Sequence, residues 1–239
     1  MIKKLVFPIL TLCLCAGLAN ADESSVKKEL EKRFKQPIES VTKAGYLGLY
    51  EAFDGRRIFY VDKDVKTVID GTIFDLVSRK NVTEERLNTL TAIDFAKLPL
   101  KQAIKFKRGD GSRILATFED PNCGYCKRLA KTLQKMDDIT VYTFLIPILG
   151  PDSLKKTQQI LCAKDSQKTW LNWIVDGEKP AGKSECEAAK RIIATNMKMQ
   201  KDYFINGTPA IFFPDGQRFA GAAPAELIEH RLQETNSKK

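Results

Sequence analysis

The sequence of 239 residues has a single histidine, His230, near its end, and one Cys-x-x-Cys pair with no second. A structural zinc site needs four nitrogen or sulfur ligands. One such pair, two isolated cysteines and one distant histidine therefore argue against zinc, and the local signature of a Cys-His protease is also missing. No apolar run reaches the roughly 20 residues needed to span a bilayer. There is no internal repeat and little low-complexity sequence, and 43% hydrophobic residues are enough to expect a folded chain. The basic excess, +9 at pH 7, is spread over stretches such as Lys155-Lys156 and Lys198 to Lys201. Without one concentrated run it favours a solvated surface over nucleic-acid binding.

What is there begins with an export pattern. Met1 to Lys4 is positively charged, Leu5 to Leu18 is apolar, and Ala19-Asn20-Ala21 is a small-x-small site before Asp22. That order predicts a cleavable secretory signal over residues 1–21, with no stable membrane insertion after cleavage. Pro8 interrupts the apolar stretch, and Cys13 and Cys15 each follow Leu where a lipoprotein signal wants a small residue. Cleavage removes Lys3 and Lys4 and leaves four cysteines: Cys123, Cys126, Cys162 and Cys186. An even number in an oxidising compartment points to disulfide-competent pairs.

The mature chain divides by pattern. Val26, Leu30 and Phe34 share one face of a predicted helix over 25–35. Runs at 46–53 and 56–61 read as strands joined by an Asp54-Gly55 hairpin turn, and 67–70 and 73–77 continue the meander. Residues 22–82 thus form a small β-rich domain, too small to bury much surface alone. From Thr83, a candidate N-cap followed by Glu84 and Glu85, a linker helix is predicted over 83–98, ending before Pro99. Residues 99–239 follow a β, α, β, long helical insertion, β, β, α order, which describes an α/β domain within a chain that is α+β overall.

The sequence FEDPNCGYCKRL, 118–129, sets two cysteines where a strand feeds a helix. At a helix start Cys123 meets unpaired N–H groups and the positive end of the dipole, with Lys127 and Arg128 one turn on, so its pKa should be depressed. A fall from about 8.5 to about 6 raises thiolate at pH 7 roughly thirty-fold and lowers intrinsic nucleophilicity roughly thirteen-fold. Attack gains about two-fold, and the larger gain is in Cys123 as a leaving group. Cys162 and Cys186 look structural. Joined, they would close a loop of about 25 residues and contribute about 3.5 kcal/mol by the chain-entropy estimate.

Cys123-Gly124-Tyr125-Cys126 after a strand, with Gly207-Thr208-Pro209-Ala210 before another, resembles the thioredoxin superfamily. Together with the signal, the β-rich domain carrying Asp70 to Asp75, the linker helix and the second cysteine pair, the chain resembles the bacterial periplasmic disulfide isomerases of the DsbC/DsbG family over nearly its whole mature length. The resemblance implies a thioredoxin-like C-terminal domain with a helical insertion and an N-terminal dimerisation domain that forms a homodimer through residues 22–82. It implies Cys123 as nucleophile, Cys126 as resolving thiol, and Gly124, Tyr125, Thr208 and a cis Pro209 at the substrate edge. It further implies misoxidised exported proteins as substrates, a membrane reductase of the DsbD type as partner, chaperone activity, and no cofactor or metal. Thr117 stands where reducing thioredoxins commonly place a buried Asp. A DsbA-like oxidase, a chaperone or binding module with secondary redox activity, and a narrower DsbG-like role stay open at this point.

Overall fold

In the N-terminal part, short buried runs and tight turns build an antiparallel meander. The computed structural model describes residues 17–236, with side chains from Asp22 to Thr235. The signal expected over 1–21, with Cys13 and Cys15, lies outside the described side chains. The chain forms two compact units that part between Thr83 and Glu84.

In the first unit, helix α1 (Gly17–Phe34) precedes β1 (Ser40–Lys43), β2 (Tyr50–Phe53), β3 (Ile58–Val61) and β4 (Val68–Ile69), hydrogen-bonded in that order as one antiparallel sheet. Val26 and Leu30 of α1 pack on Val41, Tyr50, Ala52, Phe59 and Val61 to make its core. A separate hairpin joins β5 (Phe74–Asp75) to β6 (Lys80–Asn81). The sheet differs from the expectation at two turns. β1 was not expected, and the strand predicted from residue 46 starts at Tyr50 because 44–49 is a turn, closed by the Ala44 N–H on the Leu49 carbonyl at 2.9 Å. The Asp54-Gly55 connection spans four residues, since Phe53 faces Ile58 and the Asp54 carboxylate accepts from the N–H groups of Arg56 and Arg57.

The helix expected over 83–98 runs only from Val82 to Leu90 (α2). Thr83 is not its side-chain cap. The Thr83 hydroxyl is buried, 2.6 Å from the Tyr60 hydroxyl, and accepts from the Ile73 N–H at 2.8 Å. Helix stops because the Ile93 N–H donates to the Gly216 carbonyl, 3.0 Å away, and the Asp94 carboxylate turns back to the Ala96 N–H to start a short 3-10 turn. Gly216 permits this approach: at φ +83 a Cβ there would lie 1.9 Å from the Ile93 oxygen. Any side chain would push the two segments apart.

In the second unit β7 (Ile104–Arg108), β8 (Arg113–Glu119), β9 (Ile139–Leu145), β10 (Ala210–Phe212) and β11 (Arg218–Ala220) form one sheet in the order β11-β10-β8-β9-β7. Only the β8–β9 pair is parallel, because helix α3 (Gly124–Leu133) crosses between them. Side chains alternate along β8. Leu115 packs with Leu129 and Leu133 of α3 and with Ile228 and Leu232 of α7 (Ala225–Asn236). Ala116 and Phe118 pack on the other face with Phe144, Phe212 and Met199 of α6 (Glu187–Asp202). Each fully buried Phe there contributes about 1.5–3 kcal/mol. The insertion adds α4 (Pro151–Cys162) and α5 (Ser166–Leu171), which continues as one π-helical turn through Asp176. Among the described residues, no helix is long and apolar enough to cross a membrane.

Candidate active site

Residues 117 to 126 pass from the centre of the sheet to the first turn of α3 through a loop locked by one buried carboxylate. Asp120 accepts from the N–H groups of Asn122 at 2.8 Å and Leu149 at 3.0 Å and from the Ser153 hydroxyl at 2.7 Å. The Trp173 indole N–H closes the same loop on the Pro121 carbonyl at 2.7 Å. Cys123 is therefore delivered as the N-cap of α3, in extended conformation, from a fixed position.

The two thiols are both free and differ in access. Cys123 is 6% exposed and Cys126 0%, while Tyr125 beside them is 58% exposed. The Cys126 N–H points at Cys123 Sγ from 3.4 Å, and Cys123 Sγ lies 3.2 Å from the Thr208 carbonyl. Thr208 and Pro209 are joined by a cis peptide bond, Pro209 is buried, and the chain enters β10 at the next residue. All six expected residues of the dithiol and its edge, Cys123, Gly124, Tyr125, Cys126, Thr208 and Pro209, thus meet at one end of the sheet.

Donors gathered on Cys123 set its acidity. Its pKa is drawn down to about 5, chiefly by the Cys126 thiol, then by the Thr208 side chain and the N–H groups of Cys126 and Tyr125, against the cost of burial. The carbonyl of Thr208 can serve only the protonated thiol, and these donors outweigh it. Lys127 and Arg128, expected to assist, turn elsewhere: the Lys127 ammonium lies 4.3 Å from the Trp173 ring and the Arg128 guanidinium 4.1 Å from the Tyr125 ring. Burial raises the Cys126 pKa far above the ordinary thiol range, with the neighbouring Cys123 and Glu119 adding to the effect. One sulfur is a ready thiolate and leaving group, and the other holds its proton.

Glu119 and Asp120 are site residues that sequence reading missed. Glu119 is 2% exposed at the end of β8, on the α3 side, where its Oε1 accepts from the Thr117 hydroxyl at 2.7 Å. Burial raises its pKa to about 7. The available signal was the i, i+2 continuation of Leu115 and Thr117.

Away from the dithiol, Cys162 at the end of α4 is bonded to Cys186, the residue before α6, with Cα atoms 5.9 Å apart. Among the described residues, no group of three or more His, Cys, Asp and Glu could hold a metal ion.

The chain matches two family models: "Disulfide bond isomerase protein N-terminal domain" over residues 17–84 and "Thioredoxin-like domain" over 100–236. It is similar to a "Probable thiol:disulfide interchange protein DsbC" of Bordetella pertussis, 44% identical over 209 residues, covering 87% of this chain and 73% of that protein. A "Thiol:disulfide interchange protein DsbC" of Escherichia coli is 26% identical over 231 residues, covering 93% of this chain and 92% of the relative. Among solved structures, a disulfide interchange protein from Neisseria gonorrhoeae is 37% identical with a TM-score of 0.54, covering 57% of this chain and 97% of that one.

Proposed function

This chain belongs to the DsbC family and is a thiol:disulfide isomerase, and we propose that Cys123 is its attacking sulfur, Cys126 its resolving thiol and Thr208-Pro209 the edge on which substrate chains lie. Cys123 thiolate attacks a wrong disulfide in an exported protein, giving a Cys123–substrate mixed disulfide and a substrate thiolate. A different substrate thiol then displaces Cys123, and the substrate leaves with a new pairing. The low proton affinity of Cys123 assists that departure, because a sulfur that ionises readily leaves readily. If no substrate thiol arrives, Cys126 closes on Cys123 and releases the substrate reduced. The reading rests above all on the asymmetry of the pair, one sulfur with a lowered pKa at the rim and the other sealed beneath it.

The reaction belongs in the periplasm, where misoxidised proteins are the substrates. A membrane reductase of the DsbD type would keep the dithiol reduced, and the enzyme works as a homodimer through the sheet of its N-terminal unit. The test is recovery of activity from a scrambled, fully oxidised protein in glutathione buffer. Wild type should restore it and Cys123→Ala should not, while Cys126→Ala should keep part of the rescue through substrate thiols. If wild type oxidises reduced substrate yet leaves the scrambled one inactive, the pair is an oxidant's and this reading fails.

A further inference from the structure

Glu119 is a buried acid that the exchange at Cys123 does not use. Its Oε1 accepts from the Thr117 hydroxyl at 2.7 Å and lies 3.5 Å from that of Thr143, while its Oε2 is buried without a hydrogen-bond partner. Register explains the placement: Thr117 pairs with Thr143 across β8 and β9, and Glu119 is next on the face that carries α3. Two neutral hydroxyls are poor compensation for a buried carboxylate. Glu119 pairs with Leu145 across β8 and β9, and Leu145 packs in one buried cluster with Cys123 and Cys126, so the two thiols are its neighbours on the α3 side, where a Cys123 thiolate repels its charge. The Asp120 carboxylate is engaged elsewhere, with Ser153, Asn122 and Leu149.

Cys126 needs such a neighbour. Fully buried, it cannot pass its proton to bulk water directly, yet it must lose that proton to act as a nucleophile. We propose that Glu119 is the general base for Cys126, taking its proton as that sulfur closes on the mixed disulfide. The step balances: the Cys126 proton passes to the Glu119 carboxylate, and the Cys126 sulfur attacks Cys123 Sγ. The Cys123–Cys126 bond forms as the Cys123–substrate bond breaks, and the substrate sulfur leaves as thiolate. The dithiol has given two electrons to the substrate disulfide. The base is neutralised as the buried thiolate is consumed, so two buried charges never coexist for long.

The inference rests on Cys123 as nucleophile and Cys126 as resolving thiol, and it makes a division of labour. Glu119 serves the Cys126 closing step, whereas exchange through a substrate thiol bypasses it. Rapid acid-quench of reduced protein mixed with excess oxidised glutathione separates the steps: appearance of the glutathione adduct reports attack by Cys123, and its decay reports closure. Glu119→Gln should slow closure at pH 7 about ten-fold or more. Wild-type closure should rise with pH and level off above about 7, whereas the Gln variant should keep rising with hydroxide. Glu119→Asp should restore the plateau at a lower rate. In a Cys126→Ala background, Glu119→Gln should leave adduct formation within about two-fold. Closure by Glu119→Gln with the wild-type rate and pH profile, or an equal slowing of attack and closure, overturns the inference alone. Adduct formation by Cys123→Ala would overturn the nucleophile assignment and this inference with it.

Discussion

At the Cys123 sulfur, ionisation and nucleophilicity trade against each other. Lowering a thiol pKa from about 8.5 to about 5 raises the thiolate fraction at pH 7 roughly thirty-fold, while a Brønsted slope near 0.45 weakens the sulfur as an attacker roughly forty-fold. The two nearly cancel, so the donors around Cys123 speed its departure rather than its attack. Thiolate absorbance of the reduced protein should therefore titrate with a midpoint at about pH 5 and the amplitude of one sulfur, and Cys126→Ala should move that midpoint upward. A midpoint near the ordinary thiol value would contradict the geometry. The linked stability has a definite sign: between the lowered and the ordinary pKa the unfolded chain holds a proton that the native chain has shed, so stability grows as pH rises across that interval and is lost as pH falls through about 5. Comparing the urea midpoints of Cys123→Ala and its parent in a Glu119→Gln background at each pH isolates this gain, because Glu119, whose raised pKa acts in the opposite direction, also responds to the Cys123 charge. These thiols were legible because Cys-x-x-Cys at a strand–helix junction constrains chemistry by itself. Glu119 was not, because a charged residue next to Asp-Pro reads as loop, and the position at which reducing thioredoxins commonly place a buried acid holds Thr117.

Elements were legible where a period or a breaker fixed them and illegible where a tertiary contact decided. β8, α3 and β9 follow from an apolar run, a helical stripe and a second run. The end of α2 does not: residues 91–98 keep helix-compatible composition, and the Ile93 contact with Gly216, far along the chain, together with the Asp94 cap of the following 3-10 turn, keeps the helix from running past Leu90. The Cys162–Cys186 bond belongs to this scale, since it ties the end of α4 to the start of α6. α6 also reaches the sheet on its own through Asn196, whose side-chain amide donates to the Leu145 carbonyl at 3.0 Å. Removing the bond should therefore loosen the insertion without moving the dithiol. Replacing both Cys162 and Cys186 with Ala should cost about 2–4 kcal/mol in urea unfolding and leave the Cys123 titration midpoint unchanged. A shifted midpoint would mean that the insertion shapes the nucleophile.

For the whole molecule, the question is what the first unit leaves unsatisfied. Its sheet ends at β4, a two-residue edge whose Val68 and Ile69 are both half-exposed, and the nearby hairpin holds Phe74, Leu76 and Val77 open to solvent, the last at 97%. An unpaired apolar edge invites another strand, and charge on it discourages pairing. The small size of the unit, read from sequence as too little to bury much surface alone, leaves such an edge in need of cover; which strand carries it was not legible, because 67–70 and 73–77 look equally β-rich. Val68→Lys combined with Ile69→Lys should convert a dimer to a monomer in light scattering. Cys123 should keep its titration midpoint and its rate of adduct formation with oxidised glutathione, since neither depends on the edge. Rescue of a scrambled multi-disulfide protein should fall strongly if repeated rounds of exchange need two catalytic units around one substrate. A monomeric variant that rescues as well as wild type would show that one dithiol suffices, and that the apolar edge serves assembly alone.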